Sequence, residues 1–229
     1  MKKHSKVQYL LDNTDIHYLA RLASMIVYIE SLMEIPEVIG VEVVDENEII
    51  IGLSNETALP KPPSLINDLL IREVNGPIES NYQWLYRHAA FKFLDLANDV
   101  LKTYTLITDR NGIEFYLAIF DNGKGVLLEG GKLRIAIPFI RTYYVAHTHP
   151  REGLIPSPKD IRALIDLFTY GGLASVIVTS LNSLCIYRNG PFRIEDYEAL
   201  INVNRYENPL TINKLYSLLS NSNIKLIVK

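Results

Sequence analysis

Two histidines separated by one residue form the part of the sequence best suited to metal chemistry. His147 and His149 are two of the five histidines in the chain, and Pro150 follows them directly. Near the end of a β-strand, residues i and i+2 point to the same face, so both imidazoles can reach one point in space. Because proline cannot donate to a strand ladder, we expect the strand to end there.

A third ligand comes from the helix expected after the next loop. Ser157-Pro158-Lys159-Asp160 predicts a helix start, with Ser157 as N-cap, proline at the first position and Asp160 at the third. The loop of seven residues at 150–156 is long enough to fold this first turn over the strand end. Each of the two motifs alone has an ordinary explanation. The histidine pair could be two surface or core histidines, and Ser157 with Asp160 could be a simple helix cap. Their conjunction favours a zinc site, and three protein ligands leave a position for water, as in catalytic sites.

The complete spacing resembles the JAMM (MPN+) metalloprotease motif, in the form of prokaryotic and archaeal JAB domains. That motif is His-x-His, seven residues, Ser, two residues and Asp, and the chain matches every defining position. The resemblance covers about residues 105–190 and does not include residues 1–100. It implies a cytidine-deaminase-like sheet flanked by helices. It also implies zinc held by His147, His149 and Asp160, with the Ser157 hydroxyl stabilising the oxyanion.

The family's general base is a glutamate at the start of an upstream strand. Glu114 precedes an apolar run at 115–120 and a turn containing Gly123, a context that resembles the family pattern. Glu129 is the alternative, at the end of another expected strand. We favour Glu114, which lies 33 residues before His147, a gap short enough to leave little room for an insertion that holds ubiquitin.

The resemblance implies an enzyme that hydrolyses an amide or isopeptide bond. Its expected partner is a conjugate of a ubiquitin-like or sulfur-carrier protein, or a peptide. Two alternatives remain: a hydrolase of small peptides or C-terminal amino acids with the same fold, and a non-catalytic MPN-type scaffold. Arg151 is either a solvated loop residue or a guide for acidic substrates, and Glu152 is either solvated or faces the substrate.

Composition excludes several other classes of protein. The chain has 229 residues, 48% of them apolar, and a net charge of −3, so a nucleic-acid surface is not expected. The single cysteine, Cys185, cannot form an internal disulfide and is expected to be buried in a strand. The sequence contains no signal peptide or long apolar run, which predicts a soluble cytoplasmic protein.

The elements that must position the site are expected mostly in the second half. We predict a mixed α/β (α+β) fold, with a separate α/β region at 1–102 and the metalloprotease domain at 103–229. The first region has no motif for chemistry, and its expected roles are substrate recognition, homodimerisation or covering the active site. The turn-like residues 109–112 predict a hairpin where the family has a helix directly before the glutamate strand.

Hydrophobic periodicity and turn residues give the expected element boundaries. In the first half, helices are predicted at 14–33, 64–73 and 82–102, strands at 38–44 and 48–53, and a proline-rich linker at 57–64. In the second half, strands are predicted at 105–108, 113–120, 125–129, 133–137, 142–147, 175–179, 184–187 and 224–228, and helices at 158–170, 194–202 and 211–219.

Overall fold

A computed structural model of the chain describes residues 6–130, 141–150 and 153–229. Within this part the fold is mixed α/β, with five α-helices and two sheets. The strands are β1 Lys6–Leu11, β2 Val38–Asp45, β3 Glu48–Leu53, β4 Leu70–Asn75, β5 Phe115–Phe120, β6 Gly125–Glu129, β7 Thr142–Thr148, β8 Ala174–Val178, β9 Ser183–Arg188 and β10 Ile224–Val228. The helices are α1 Thr14–Met33, α2 Gln83–Asn111, α3 Pro158–Thr169, α4 Ile194–Asn204 and α5 Ile212–Leu219.

A seven-stranded sheet forms the centre of the fold, in the order β1-β6-β5-β7-β8-β9-β10. Strands β7 and β8 are parallel and connected through α3, whereas the other neighbouring strands are antiparallel. The central strand β7 is therefore paired on both sides, which holds the residues at its end in a defined register.

Helices cover both faces of this sheet. On one face, alternate residues such as Leu117 and Ala146 pack in a large apolar cluster with α1 and α2. On the other face, Ala118 and Val145 pack with α3, α4 and α5. This alternation follows from the period of two in a strand, and it places His147, two residues after Val145, on the α3 face.

A smaller sheet of β2, β3 and β4 packs on the same apolar cluster as α1. Its buried residues include Val41, Val43, Ile49 and Ile51. Strands β2 and β3 are antiparallel, and β3 and β4 are parallel. The first half of the chain is thus joined to the central sheet through α1, α2 and β1.

Helix α2 is longer than the sequence predicts and corrects two expectations. Residues 105–108 are helical, not a strand, and residues 109–112 end the helix instead of forming a hairpin. The β-branched residues of this stretch favour a strand, but Leu101, Thr105 and Thr108 follow helical spacing and are buried. Gly112 ends the helix in the left-handed conformation, at φ 65°, which glycine adopts without strain. A helix therefore lies directly before the strand that follows Glu114.

The helix predicted at 64–73 is also wrong. A short 3₁₀ turn, Ser64–Ile66, is followed by β4, which pairs with β3 along its whole length. The apolar periodicity of residues 64–73 is too short to distinguish a helix from a strand, and pairing with β3 stabilises the strand. Strand β1 was not predicted at all, and it pairs with β6 as an edge strand.

The other predicted elements within the described residues are confirmed, with boundaries shifted by a few residues. The strand predicted at 133–137 lies outside those residues. Cys185 is fully buried in β9, as expected, and its burial raises the pKa of the thiol. Among the described helices, none is both long and apolar enough to cross a membrane.

The predicted division between residues 102 and 103 falls inside α2. Residues from both sides of this division contribute to one apolar cluster, for example Ile26 and Phe93 with Tyr144 and Val176. The assignment of the two segments to separate domains stays a prediction. The packing of α1 and α2 on the central sheet means that the two segments share one apolar cluster.

Candidate metal centre

The two histidines lie at the carboxyl end of β7, on the face covered by α3. His147 pairs with Tyr116 of β5 and with Ile177 of β8. The backbone N–H of His149 donates to the Val178 carbonyl at 2.9 Å, so pairing with β8 continues until Pro150. Both imidazoles are buried; the backbone of His147 is paired on both sides, and that of His149 on the β8 side.

Asp160 reaches the histidines from the first turn of α3. Its Oδ2 accepts from the Ser157 backbone N–H at 2.7 Å, while the Asp160 N–H donates to the Ser157 hydroxyl at 3.3 Å. These reciprocal bonds form a capping box, as the sequence predicts. The box fixes the rotamer of Asp160, so its carboxylate faces the end of β7.

The three side chains converge on one point. His147 Nε2 lies 2.9 Å from His149 Nε2. The two oxygens of Asp160 lie 3.4 Å from these nitrogens, Oδ1 from His147 and Oδ2 from His149. Neighbouring ligand atoms at the usual Zn–N and Zn–O distances in a tetrahedral site are about 3.3 Å apart, so each of the two longer separations, made by a different oxygen of Asp160, is close to that spacing.

The hydrogen bond at the far side of the His149 ring sets its tautomer. Its Nδ1 donates to the Gly153 carbonyl, which leaves the Nε2 lone pair free in the neutral ring. Ligating histidines commonly make such a bond, because it orients the ring and increases its basicity. The Nδ1 of His147 is buried and has no hydrogen-bond partner within the described part of the chain.

This arrangement fits a divalent cation. Two Nε2 atoms in contact repel each other unless a proton or a cation lies between them, and the facing carboxylate adds negative charge that favours either one. His147, His149 and Asp160 are thus a group that could hold a metal ion. Their ligand set, two imidazoles and one carboxylate, leaves the nature of the metal open.

Without a cation, protonation couples the same groups. Burial alone would lower the pKa of His149, but the hydrogen bond and charge of Asp160, the Gly153 carbonyl and the charge of Glu114 raise it overall. Burial alone would raise the pKa of Asp160, but hydrogen bonds from His147 and His149 and the charge of His147 lower it overall. The site therefore attracts positive charge, either as a proton or as a cation.

No family model, curated protein or solved structure matches this chain.

The structure separates the two candidate glutamates. Glu114 Oε1 lies 4.0 Å from His149 Nε2, and 42% of its side chain is exposed, so solvent reaches it. Glu129 pairs with Phe115, whose side chain belongs to the cluster with α2. Because directly paired residues point to the same face, Glu129 points away from the metal centre. Only Glu114 of these two is on the side of the histidines.

Ser157 occupies the N-cap of α3 and is half-buried beside Asp160, a candidate ligand. Its hydroxyl oxygen accepts from the Asp160 N–H, and a hydrogen bond from the Ser157 side chain is one of the causes that lower the pKa of Asp160. Arg151 and Glu152, the two loop residues considered from the sequence, lie outside the described residues.

A cavity of about 940 Å³ opens beside the centre, between α3 and β7. His147, Asp160 and Tyr116 line one part of it, and Arg141 and Tyr170 line another. Sequence reasoning missed Tyr116, whose ring stacks on His147 with centroids 5.2 Å apart. Its position two residues after Glu114, which directly precedes β5, was the available signal, because alternation along an extended run places both on one face. Burial, with the charges of Asp160 and Glu114, raises the pKa of the Tyr116 phenol and keeps it protonated.

Proposed function

We propose that the chain is a zinc-dependent peptidase or isopeptidase of the JAMM type. The observation that supports this most directly is the convergence of His147, His149 and Asp160 with Glu114 beside them, the Glu114 carboxylate being 4.0 Å from His149 Nε2. A metal group with three protein ligands and an adjacent, solvent-accessible carboxylate is suited to hydrolysis by activated water.

The fold is compatible with this proposal at two points. The sheet is mixed and has helices on both faces, as the JAMM-like, cytidine-deaminase-like architecture requires. Helix α2 ends at Asn111, just before Glu114, where the family has its helix. The hairpin predicted from the sequence would have been a departure from the family, and the helix removes it.

The proposed mechanism assigns one role to each residue of the site. A zinc ion bound by the three ligands would polarise the scissile carbonyl and make water more acidic. Glu114 takes the proton of the attacking water and delivers it to the leaving nitrogen. Ser157 stabilises the negative oxygen that develops on the carbonyl, once its hydroxyl hydrogen turns from the Asp160 carboxylate to the substrate.

The proposed substrate is an amide or isopeptide linkage to a ubiquitin-like or sulfur-carrier protein. A second candidate, a hydrolase of small peptides, is favoured by the cavity, because about 940 Å³ is within the range of sites that enclose small ligands. Cleavage of a folded ubiquitin-like conjugate and of a short peptide amide, compared side by side, separates the two.

Metal content tests the ligand set. The purified chain should contain about one zinc per molecule by mass spectrometry, and His147→Ala and Asp160→Asn should contain almost none. Asp166→Asn is the matched control, since Asp166 is an exposed residue of the same helix. Equal metal content in all four proteins would contradict the proposed site.

Substitution of Glu114 tests the proposed reaction. Glu114→Gln should lower kcat about 10²- to 10⁴-fold while zinc stays bound, because the amide cannot accept the proton of water. The measurement is hydrolysis of the two substrates above, with metal content determined on the same samples. Glu129→Gln should leave the rate unchanged. Full activity in Glu114→Gln would exclude Glu114 as the base.

A further inference from the structure

Two threonine hydroxyls form a buried pair on the face of the sheet opposite to the metal centre. Thr148 lies between the two histidines in β7, and Thr108 lies in the last turn of α2. Their Oγ1 atoms are 2.6 Å apart, and both residues are fully buried. Buried hydroxyls must find partners, and the partners of this pair are on either side of Glu114.

The direction of each hydrogen bond follows from counting hydrogens. The Phe115 backbone N–H donates to Thr148 Oγ1 at 2.9 Å. The Thr148 hydroxyl then donates to Thr108 Oγ1, the acceptor at 2.6 Å. The Thr108 hydroxyl donates to the Ile113 carbonyl at 2.8 Å, in preference to the Tyr104 carbonyl at 3.2 Å. Each hydroxyl thus donates once and accepts once.

This chain of bonds holds both peptide groups of Glu114. The Ile113 carbonyl belongs to the peptide group before Glu114, and the Phe115 N–H belongs to the one after it. The Glu114 carbonyl also accepts from the Gly130 N–H at 2.7 Å. The backbone of Glu114 is therefore fixed to the histidine strand, to the end of α2 and to the end of β6.

We propose that Thr108 and Thr148 are positioning residues that set the distance between the Glu114 carboxylate and the metal ligands. The inference depends on the proposed function, because it concerns the base of that reaction. A base must lie within reach of one proton, and a displacement of about 1 Å can cost about 100-fold in rate. The neighbours of Thr148 in sequence are the ligands themselves, so one residue connects the base to the metal centre.

Variants that keep shape but lose the hydroxyl test the proposal. Thr148→Val and Thr108→Val should each lower kcat about 10- to 100-fold, with KM changed less than about twofold and zinc content unchanged. Thr148→Ser should retain most of the wild-type kcat because it keeps the hydroxyl. The double Val variant should lose no more than one single variant, since both hydroxyls act in one chain of bonds.

Thr105→Val is the matched control. Thr105 is buried in the same helix and donates its hydroxyl to the Lys102 carbonyl at 2.7 Å, without a bond to the segment around Glu114. Its kcat should equal that of the wild type. Equal losses in Thr105→Val and Thr148→Val would overturn the proposal, because general destabilisation would then explain them.

Amide hydrogen exchange gives a measurement independent of activity. The Phe115 amide should exchange at least about tenfold faster in Thr148→Val than in Thr105→Val, because it loses its acceptor. Slow exchange and a wild-type kcat in Thr148→Val would refute the positioning role and leave the proposed hydrolase intact. Failure of the wild type to hydrolyse either substrate would instead refute the proposed function. If Thr148→Val does not fold, Thr108→Val tests the same bonds from the helix.

Discussion

At the scale of single residues, the proposed metal centre is a site where a proton and a cation would compete. In the protein without metal, the hydrogen bond and charge of Asp160 outweigh the effect of burial and raise the pKa of His149 above its ordinary value of 6.5. The same contacts that make the site attractive to a cation therefore also retain a proton. Metal binding must displace it, since only the unprotonated ring can be a ligand.

Zinc affinity should consequently depend on pH. It should be greatest above the raised pKa of His149 and should decline as the pH falls through that value, so the decline begins above pH 6.5. Below it, affinity should fall about tenfold per pH unit for each proton displaced. Calorimetric titration with zinc between pH 5.5 and 8.5, in buffers of different ionisation enthalpy, counts the protons released. A constant affinity with no proton release from pH 8 to pH 6 would contradict this.

At the scale of elements, a buried ion pair and the hydrogen bonds to it connect β9, α1 and α2. Arg188 of β9 is almost fully buried and donates to Glu30 of α1 at 2.7 Å. Tyr86 of α2 donates to the same carboxylate at 2.6 Å, and Arg188 Nε donates to the Gly172 carbonyl at 2.8 Å. Both N-terminal helices are thereby attached to the central sheet by charge-assisted hydrogen bonds as well as by apolar packing.

Glu30→Gln should destabilise the protein strongly. Removing one charge leaves the buried guanidinium uncompensated, which costs about 3 kcal/mol in the free energy of unfolding. Denaturant unfolding measures the change. Asp95→Asn, which breaks the exposed pair with Lys229, should change the free energy of unfolding far less, because solvent screens that pair. Similar effects of the two substitutions would mean that the buried pair is not needed to fix α1 on the sheet.

At the scale of the whole molecule, we expect the stability of the proposed catalytic half to depend on the first half. Helix α2 continues across the predicted division at 102 and 103, and it covers the same sheet face as α1. Residues on that face, such as Leu117, Tyr144 and Val176, are completely buried. Their burial is a large part of the apolar contribution to stability.

A fragment of residues 103–229 should therefore not fold cooperatively. It would expose the sheet face that α1 and α2 cover and would lack β1, so apolar surface would stay in contact with water. Thermal unfolding by circular dichroism and binding of a hydrophobic dye should show no cooperative transition and strong dye binding. The full chain, measured in parallel, should unfold cooperatively. A cooperative transition in the fragment would support the original division into two domains.

The sequence alone predicted those features that depend on residues close together in the chain. The spacing of His147 and His149 on one strand face, and the Ser157–Asp160 capping box, are local consequences of strand and helix periodicity. Most elements of the second half were predicted for the same reason. Each needed only a run of residues and the turn that ends it.

The tertiary structure decided what depends on residues far apart. The last turns of α2 contain β-branched residues that locally favour a strand, and only packing against the sheet made them helical. The sequence favoured Glu114 over Glu129 from its context, but only the pairing of β5 with β6 and β7 shows which of the two glutamates lies on the side of the histidines. Local sequence can specify a ligand's strand or helix, but the distance from a base to a metal is set by contacts between elements that the chain brings together only on folding.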